Sequence, residues 1–158
     1  MGSELNRMAV RYAIQKGKPQ ETAAQFAVGF FKRHPNLHKF APKKIVDSAN
    51  QKGRHQEASQ QGDSIQLYPK FWLLDAEGRD FVLAHEIGHW MLDVYGIAKL
   101  IEDLNKLGVD PWELSQLPFG WHNMDEAFAD SFATYFFNRS ELRQRYPEWD
   151  AVVHAIVS

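Results

Sequence analysis

The sequence contains no cysteine. This absence excludes disulfide bonds and any zinc site built on thiolates, so a metal site would have to use histidine and carboxylate ligands. No apolar run reaches the length of a membrane-spanning helix, and we therefore predict no membrane span. The formal net charge is only −2, which gives no electrostatic reason to expect nucleic acid as a partner.

The composition is that of a folded domain. The chain has 158 residues, of which 44% are hydrophobic, enough for one domain spanning residues 1–158 with a substantial core. The first residues lack the apolar segment of a secretory signal peptide, so we expect none in this sequence. The sequence does not distinguish a cytoplasmic protein from part of a larger secreted, phage or toxin protein. It also does not indicate the oligomeric state.

Residues 85–89 read His-Glu-Ile-Gly-His, the pattern HExxH. Residues four apart lie on one face of a helix, so the imidazoles of His85 and His89 can reach one metal ion. Glu86 stands where it can hold a water molecule instead of the metal. Mostly apolar neighbours predict a buried helix over about 79–95. Buried polar groups without partners cost about 1–3 kcal/mol each, and a metal ion would provide the missing partner.

A catalytic zinc ion has three protein ligands, so a third ligand is needed. We predict Glu126, on a second buried helix over about 123–138. Asp130, four residues later on the same face, would accept a hydrogen bond from the non-ligating nitrogen of a zinc-bound histidine and so orient it. A different interpretation of Glu126 is that it completes a capping box with Asn123 at the start of this helix.

Other residues compete as metal ligands. Asp93 lies one helical turn beyond the motif, and His122 lies in an aromatic loop over 108–122. Either could replace Glu126 as the third ligand. His34 and His38 also have a spacing that could bind metal, but a proline lies between them, and we expect them to be solvated loop histidines.

The rest of the chain is predicted to be mainly helical. Caps and apolar periodicity predict four further helices, over 3–17, 20–33, 97–107 and from Pro147 onwards. A short turn is predicted over 139–142. Residues 44–48 favour a helix or a strand equally, and residues 49–64 are polar and predict a loop.

The sequence predicts one strand clearly. Residues 64–68 alternate polar and apolar side chains, and Pro69 after them suggests that this strand lies at a sheet edge. An edge strand beside the motif helix could receive the backbone of a substrate by strand addition, although it could equally be an ordinary edge strand. We therefore expect an α+β fold, a mainly helical domain with a small sheet whose edge strand borders the active-site helix.

The two motifs together resemble a known family. HExxH followed by ExxxD on a second helix resembles the gluzincins, the thermolysin-like zinc peptidases. The stretches HEIGH and EAFADSFA are similar to the catalytic domain of anthrax-lethal-factor-like peptidases and, as a second choice, to ImmA/IrrE-type peptidases. The resemblance implies a zincin-like fold in which His85, His89 and Glu126 bind Zn²⁺, Glu86 is the catalytic base and Asp130 orients a ligand.

The same resemblance implies a zinc-dependent endopeptidase that hydrolyses a protein or peptide substrate through a zinc-bound water activated by Glu86. Lethal-factor-like enzymes place a catalytic tyrosine about two turns before the ligand glutamate, and this sequence has Phe119 there. His122 or Tyr68 is then the candidate for the second catalytic residue. Two alternatives remain open, a non-catalytic zinc-binding interaction or sensor module and a hydrolase of non-peptide amides.

Overall fold

A computed structural model describes residues 21–49, 56–115 and 123–158. In chain order its α-helices are α1 (Ala23–Arg33), α2 (Ala76–Tyr95), α3 (Ile97–Lys106), α4 (Pro111–Ser115), α5 (Met124–Phe137), α6 (Arg139–Arg145) and α7 (Pro147–Val157). Its strands are β1 (Lys44–Asp47), β2 (Ala58–Gln61) and β3 (Ser64–Leu67), and 3₁₀ helices span Pro35–Phe40 and Pro69–Leu73. The helix predicted over 3–17 lies outside the described residues.

The motif helix is α2, which begins three residues earlier than predicted. The reason is Asp75, whose Oδ1 accepts a hydrogen bond of 2.7 Å from the Gly78 N–H and so caps the first turn. The helix ends at Gly96, whose φ of +94° is a conformation that side chains other than glycine rarely adopt. The predicted end at residue 95 is confirmed.

Helix α5 packs along α2 and carries the second motif. Asn123 caps it as predicted, with its side chain accepting from the Asp125 and Glu126 N–H groups at 2.9 Å and 3.4 Å. The two helices meet at Gly88, where an added Cβ would lie only 2.9 Å from the Ala129 Cα. Glycine between the two motif histidines therefore permits the close approach that places α5 beside them.

The sheet corrects the prediction of the edge strand. Its order is β1–β3–β2, with β1 parallel and β2 antiparallel to β3. The strand predicted at the edge, over 64–68, is therefore central. Pro69 interrupts no pairing, because it lies beyond β3 in a 3₁₀ helix. The edge strand that packs on α2 is β2, part of the segment predicted as a polar loop, and a turn at Gly62 joins it to β3.

Other differences are local. Residues 44–47 form a strand, and the turn predicted over 139–142 is the first part of helix α6. Two ion pairs favour this helix, one from Arg139 to Asp150 at 2.8 Å and one from Arg145 to Glu141 at 3.0 Å. Helix α4 lies within the segment predicted as the aromatic loop.

The described elements share one hydrophobic core. Its largest fully buried side chains include Phe30, Phe71, Leu83, Phe128 and Trp149, which lie on five different helical segments. The architecture is mainly helical with a small mixed sheet, as expected for an α+β protein. Within the described part of the chain, no helix combines the length and the apolar character needed to cross a membrane.

Candidate metal centre

The side chains of His85, His89 and Glu126 converge at the contact between α2 and α5. The two histidine Nε2 atoms are 3.1 Å apart, and the Glu126 carboxylate lies 3.1 Å from the Nε2 of His85 and 3.2 Å from that of His89. These residues could hold a metal ion. In the ranges that the structure describes, no other three side chains of ligand type meet in this way.

Each histidine also contacts a carboxylate through its other ring nitrogen, Nδ1. The Nδ1 of His85 donates to Asp130 Oδ1 at 2.8 Å, with both side chains buried. The Nδ1 of His89 lies 3.4 Å from Asp125 Oδ1, in a half-exposed contact. Because each carboxylate accepts a hydrogen bond from Nδ1, the Nε2 atoms of both rings point into the centre.

Asp130 was predicted in this role, but Asp125 was not. The sequence offers a single signal for Asp125, an acidic residue directly before the candidate ligand Glu126 in the first turn of α5. Adjacent residues on a helix point about 100° apart, so this position alone does not reveal which element the side chain faces.

The centre attracts positive charge. Burial lowers the pKa of His85, but the charge of Asp130 and hydrogen bonds to Asp130 and Glu126 outweigh it and raise this pKa well above its usual value. The same balance, with hydrogen bonds to Asp125 and Glu126, raises the pKa of His89 to about 9. Burial opposes ionisation of Glu126, yet the two imidazoles hold its pKa far below the usual range. Protons or a metal cation would satisfy these groups.

Glu86 lies beside the centre on α2 and is buried. Burial raises its pKa, while the charges of His85 and His89 act in the opposite direction and those of Glu126 and Glu57 add to the rise. Buried carboxylates with a raised pKa are more frequent at functional sites than elsewhere in proteins.

We compared the chain with models of protein families, with curated proteins and with solved structures. None of them matches it. The chemistry of the centre therefore has to be inferred from its own residues, and the resemblance to gluzincins stays a prediction.

The other two candidates for the third ligand have different outcomes. Asp93 is exposed and does not join the three converging side chains; its Oδ2 instead accepts a hydrogen bond of 2.6 Å from Gln60. His122 and Phe119 lie outside the described residues.

Further polar residues lie away from the centre. His34 is not a solvated loop histidine, because its Nε2 lies 2.8 Å from the carboxylate of Asp80 and its ring packs between two phenylalanines. His34 and His38 do not form a group of metal ligands within the described ranges. Tyr68, the other candidate for a second catalytic residue, is buried, with its hydroxyl 2.6 Å from that of Ser59.

Proposed function

We propose that this protein is a zinc-dependent endopeptidase of the gluzincin type, with a zincin-like fold and a protein or peptide substrate. The observation that carries the proposal is the convergence of His85, His89 and Glu126 with Glu86 beside them. Imidazole ligands favour zinc and its neighbours over calcium or magnesium. Two histidines with one glutamate are a ligand set that catalytic zinc sites use.

The spacing of the ligand atoms supports zinc. Bonds of about 2.0–2.1 Å in a tetrahedral zinc site place the ligand atoms about 3.3 Å from one another. The two Nε2 atoms are 3.1 Å apart and each lies 3.1–3.2 Å from one of the two Glu126 carboxylate oxygens, so the three residues are close to the spacing of such a site. Three protein ligands also leave one coordination position open, which is the arrangement of catalytic rather than structural zinc sites.

The residues around the centre have distinct roles in the proposed reaction. When bound, zinc acts as a Lewis acid on the scissile carbonyl and makes a water molecule more acidic. Glu86 accepts the proton of the attacking water and passes it to the leaving amine. Asp130 and Asp125 accept hydrogen bonds from the Nδ1 atoms of His85 and His89, so that the Nε2 atoms are oriented toward the metal.

The substrate backbone has a place to bind in this proposal. Strand β2 pairs with β3 along one edge and packs on α2. Its other edge has no strand partner among the described residues. An extended peptide can pair with such an edge by strand addition, which would bring a peptide bond alongside the helix that carries Glu86.

The proposal is tested with Glu86→Gln. We expect this variant to bind zinc like the wild type and to lose at least about 100-fold in turnover, because general-base catalysis contributes about 10²–10⁴-fold. The measurements are zinc content by metal analysis and cleavage of a peptide mixture by mass spectrometry. Glu77→Gln, in the first turn of the same helix, is the matched control and should keep activity.

Two results would contradict the proposal. Unchanged cleavage by Glu86→Gln would remove Glu86 from its role as the base. A wild-type protein that binds zinc but cleaves no peptide would favour the non-catalytic zinc-binding module.

A further inference from the structure

One side-chain amide connects the edge strand β2 to helix α2, which carries the two motif histidines. The Gln60 Nε2 donates hydrogen bonds of 2.6 Å to Asp93 Oδ2 and of 2.6 Å to the Gly62 carbonyl. Gln60 belongs to β2, Gly62 to the turn that joins β2 with β3, and Asp93 to α2. Asp93 also lies one helical turn after His89, on the face of α2 that carries both histidines.

This contact can fix the strand where apolar packing cannot. Ala58 of β2 is buried, and the strand packs on α2. Apolar contact is non-directional and therefore tolerates sliding. A hydrogen bond requires a defined distance and angle, and a charged acceptor makes it stronger. The Gln60–Asp93 bond is solvent-exposed and adds one directional contact between β2 and α2.

The inference that follows rests on the proposed function. We propose that the Gln60–Asp93 hydrogen bond sets which peptide bond of the substrate lies at Glu86 and the metal centre. A substrate backbone paired with β2 takes its position from β2. Successive residues of a strand are about 3.3 Å apart, and errors of about 1 Å at a reacting centre already cost about 100-fold in rate. Loosening β2 would therefore offer neighbouring bonds to the centre.

Asp93 is a positioning residue in this proposal and not a catalytic one, because its carboxylate contacts Gln60 and lies outside the group of metal ligands. Three variants separate the hydrogen bond from other effects. Asp93→Ala removes the acceptor. Asp93→Asn keeps an acceptor oxygen but removes the charge. Val94→Ala changes the next residue, which is exposed, and is the matched control.

The expected results differ among the three variants. Asp93→Ala should raise KM about 3–10-fold, the usual size of one lost hydrogen bond, and cleavage should spread to bonds next to the main one. Mass spectrometry of the products measures this spread. Asp93→Asn should give a KM and a spread of cleavage sites between those of Asp93→Ala and the wild type, because a neutral acceptor makes a weaker hydrogen bond, and Val94→Ala should match the wild type. Zinc affinity should be the same in all of them.

A second readout does not depend on activity. Hydrogen exchange of the backbone amides of residues 58–61 reports how firmly β2 is held. We expect this exchange to be about 3–10-fold faster in metal-free Asp93→Ala than in metal-free wild type, and intermediate in Asp93→Asn.

Several outcomes would overturn the inference. One is a wild-type KM, cleavage pattern and amide exchange in Asp93→Ala. Another is an Asp93→Asn variant as defective as Asp93→Ala, which would assign the effect to charge. A loss of zinc affinity in Asp93→Ala would assign Asp93 to the metal. If the zinc-loaded wild type cleaves no peptide, the proposed peptidase function fails instead, and amide exchange still decides whether Asp93 holds the strand.

Discussion

The carboxylates of Asp130 and Asp125 determine what the two motif histidines can bind. Each accepts a hydrogen bond from the Nδ1 of one imidazole, so Nε2 is the nitrogen of both rings that faces Glu126 and is left to bind a metal ion. Asp130 does this from complete burial at 2.8 Å, whereas Asp125 is half-exposed at 3.4 Å. Water competes for Asp125 but not for Asp130, and we therefore expect Asp130 to contribute more to metal affinity.

Asp130→Ala should weaken zinc binding about 10–100-fold, the usual effect of losing a residue that orients a metal ligand. Asp125→Ala should weaken it less. Competition titration against a chelating dye at constant pH measures both affinities. Because Asp130 is fully buried, Asp130→Asn serves as a second variant of similar volume; its amide oxygen still accepts the Nδ1 proton, so its zinc affinity should fall between those of Asp130→Ala and wild type. Equal affinity in Asp130→Ala and wild type would contradict the role of this carboxylate.

These residues differ in how far the sequence reveals them. His85, His89, Glu126 and Asp130 follow from spacings of four residues within single helices, which place side chains on one face. Asp125 depends on how α5 is rotated against α2, which is a property of tertiary packing. The sequence therefore predicts the three converging side chains and one of the two carboxylates behind them.

The pairing of α2 with α5 is the element on which the centre depends. Gly88 lies at the closest contact, where an added Cβ would also be 3.1 Å from the Phe132 Cβ and 3.2 Å from the Ala129 carbonyl oxygen. These atoms belong to the backbone or the base of a side chain and cannot move without moving α5. A larger residue at Gly88 would therefore separate the histidines from Glu126.

Gly88→Ala should lower the free energy of unfolding by about 1–3 kcal/mol, the usual cost of overpacking, and should also weaken zinc binding. Gly29→Ala in α1 is the matched control, since its Cβ would meet only the Nη1 atom at the end of the Arg33 side chain, at 3.0 Å, and no backbone atom. That variant should gain up to about 1 kcal/mol from helix propensity. Urea unfolding of the metal-free proteins measures both, and equal stabilities for the two variants would contradict the close contact at Gly88.

Helices were predicted better than the sheet for a physical reason. Capping residues and apolar periodicity are local, and they indicate the bounds of α2 and α5 to within a few residues. Strand β2 consists of Ala58-Ser59-Gln60-Gln61 and lacks the β-branched and aromatic residues that favour strands. It is extended because the turn at Gly62 pairs it with β3. The amino-acid composition of the segment does not predict such pairing.

The stability of the whole molecule should depend on what fills the centre. In the metal-free protein the pKa of His89 is raised from 6.5 to about 9, chiefly by Asp125 and Glu126 acting against burial. A raised pKa in the folded state contributes stability that is complete below the unfolded value and is lost as the pH rises through the folded value. Metal-free protein should therefore lose stability between about pH 6.5 and about 9.

Bound zinc should remove this dependence. Zinc binds unprotonated imidazole, so its affinity rises with pH through the same window. The difference in melting temperature between zinc-loaded and metal-free protein should therefore widen from about pH 6.5 to about pH 9. Thermal unfolding with bound zinc and after chelation measures the difference, and a gap that stays constant over this range would contradict the proposed occupant.

The most direct test of the central claim is a crystal structure of the zinc-loaded protein with the metal identified by anomalous scattering. We expect zinc bound to Nε2 of His85, Nε2 of His89 and the carboxylate of Glu126, with no protein ligand in the fourth position. A fourth protein ligand, such as His122, would close the site and contradict a peptidase. Zinc bound without Glu126 would contradict the ligand set itself.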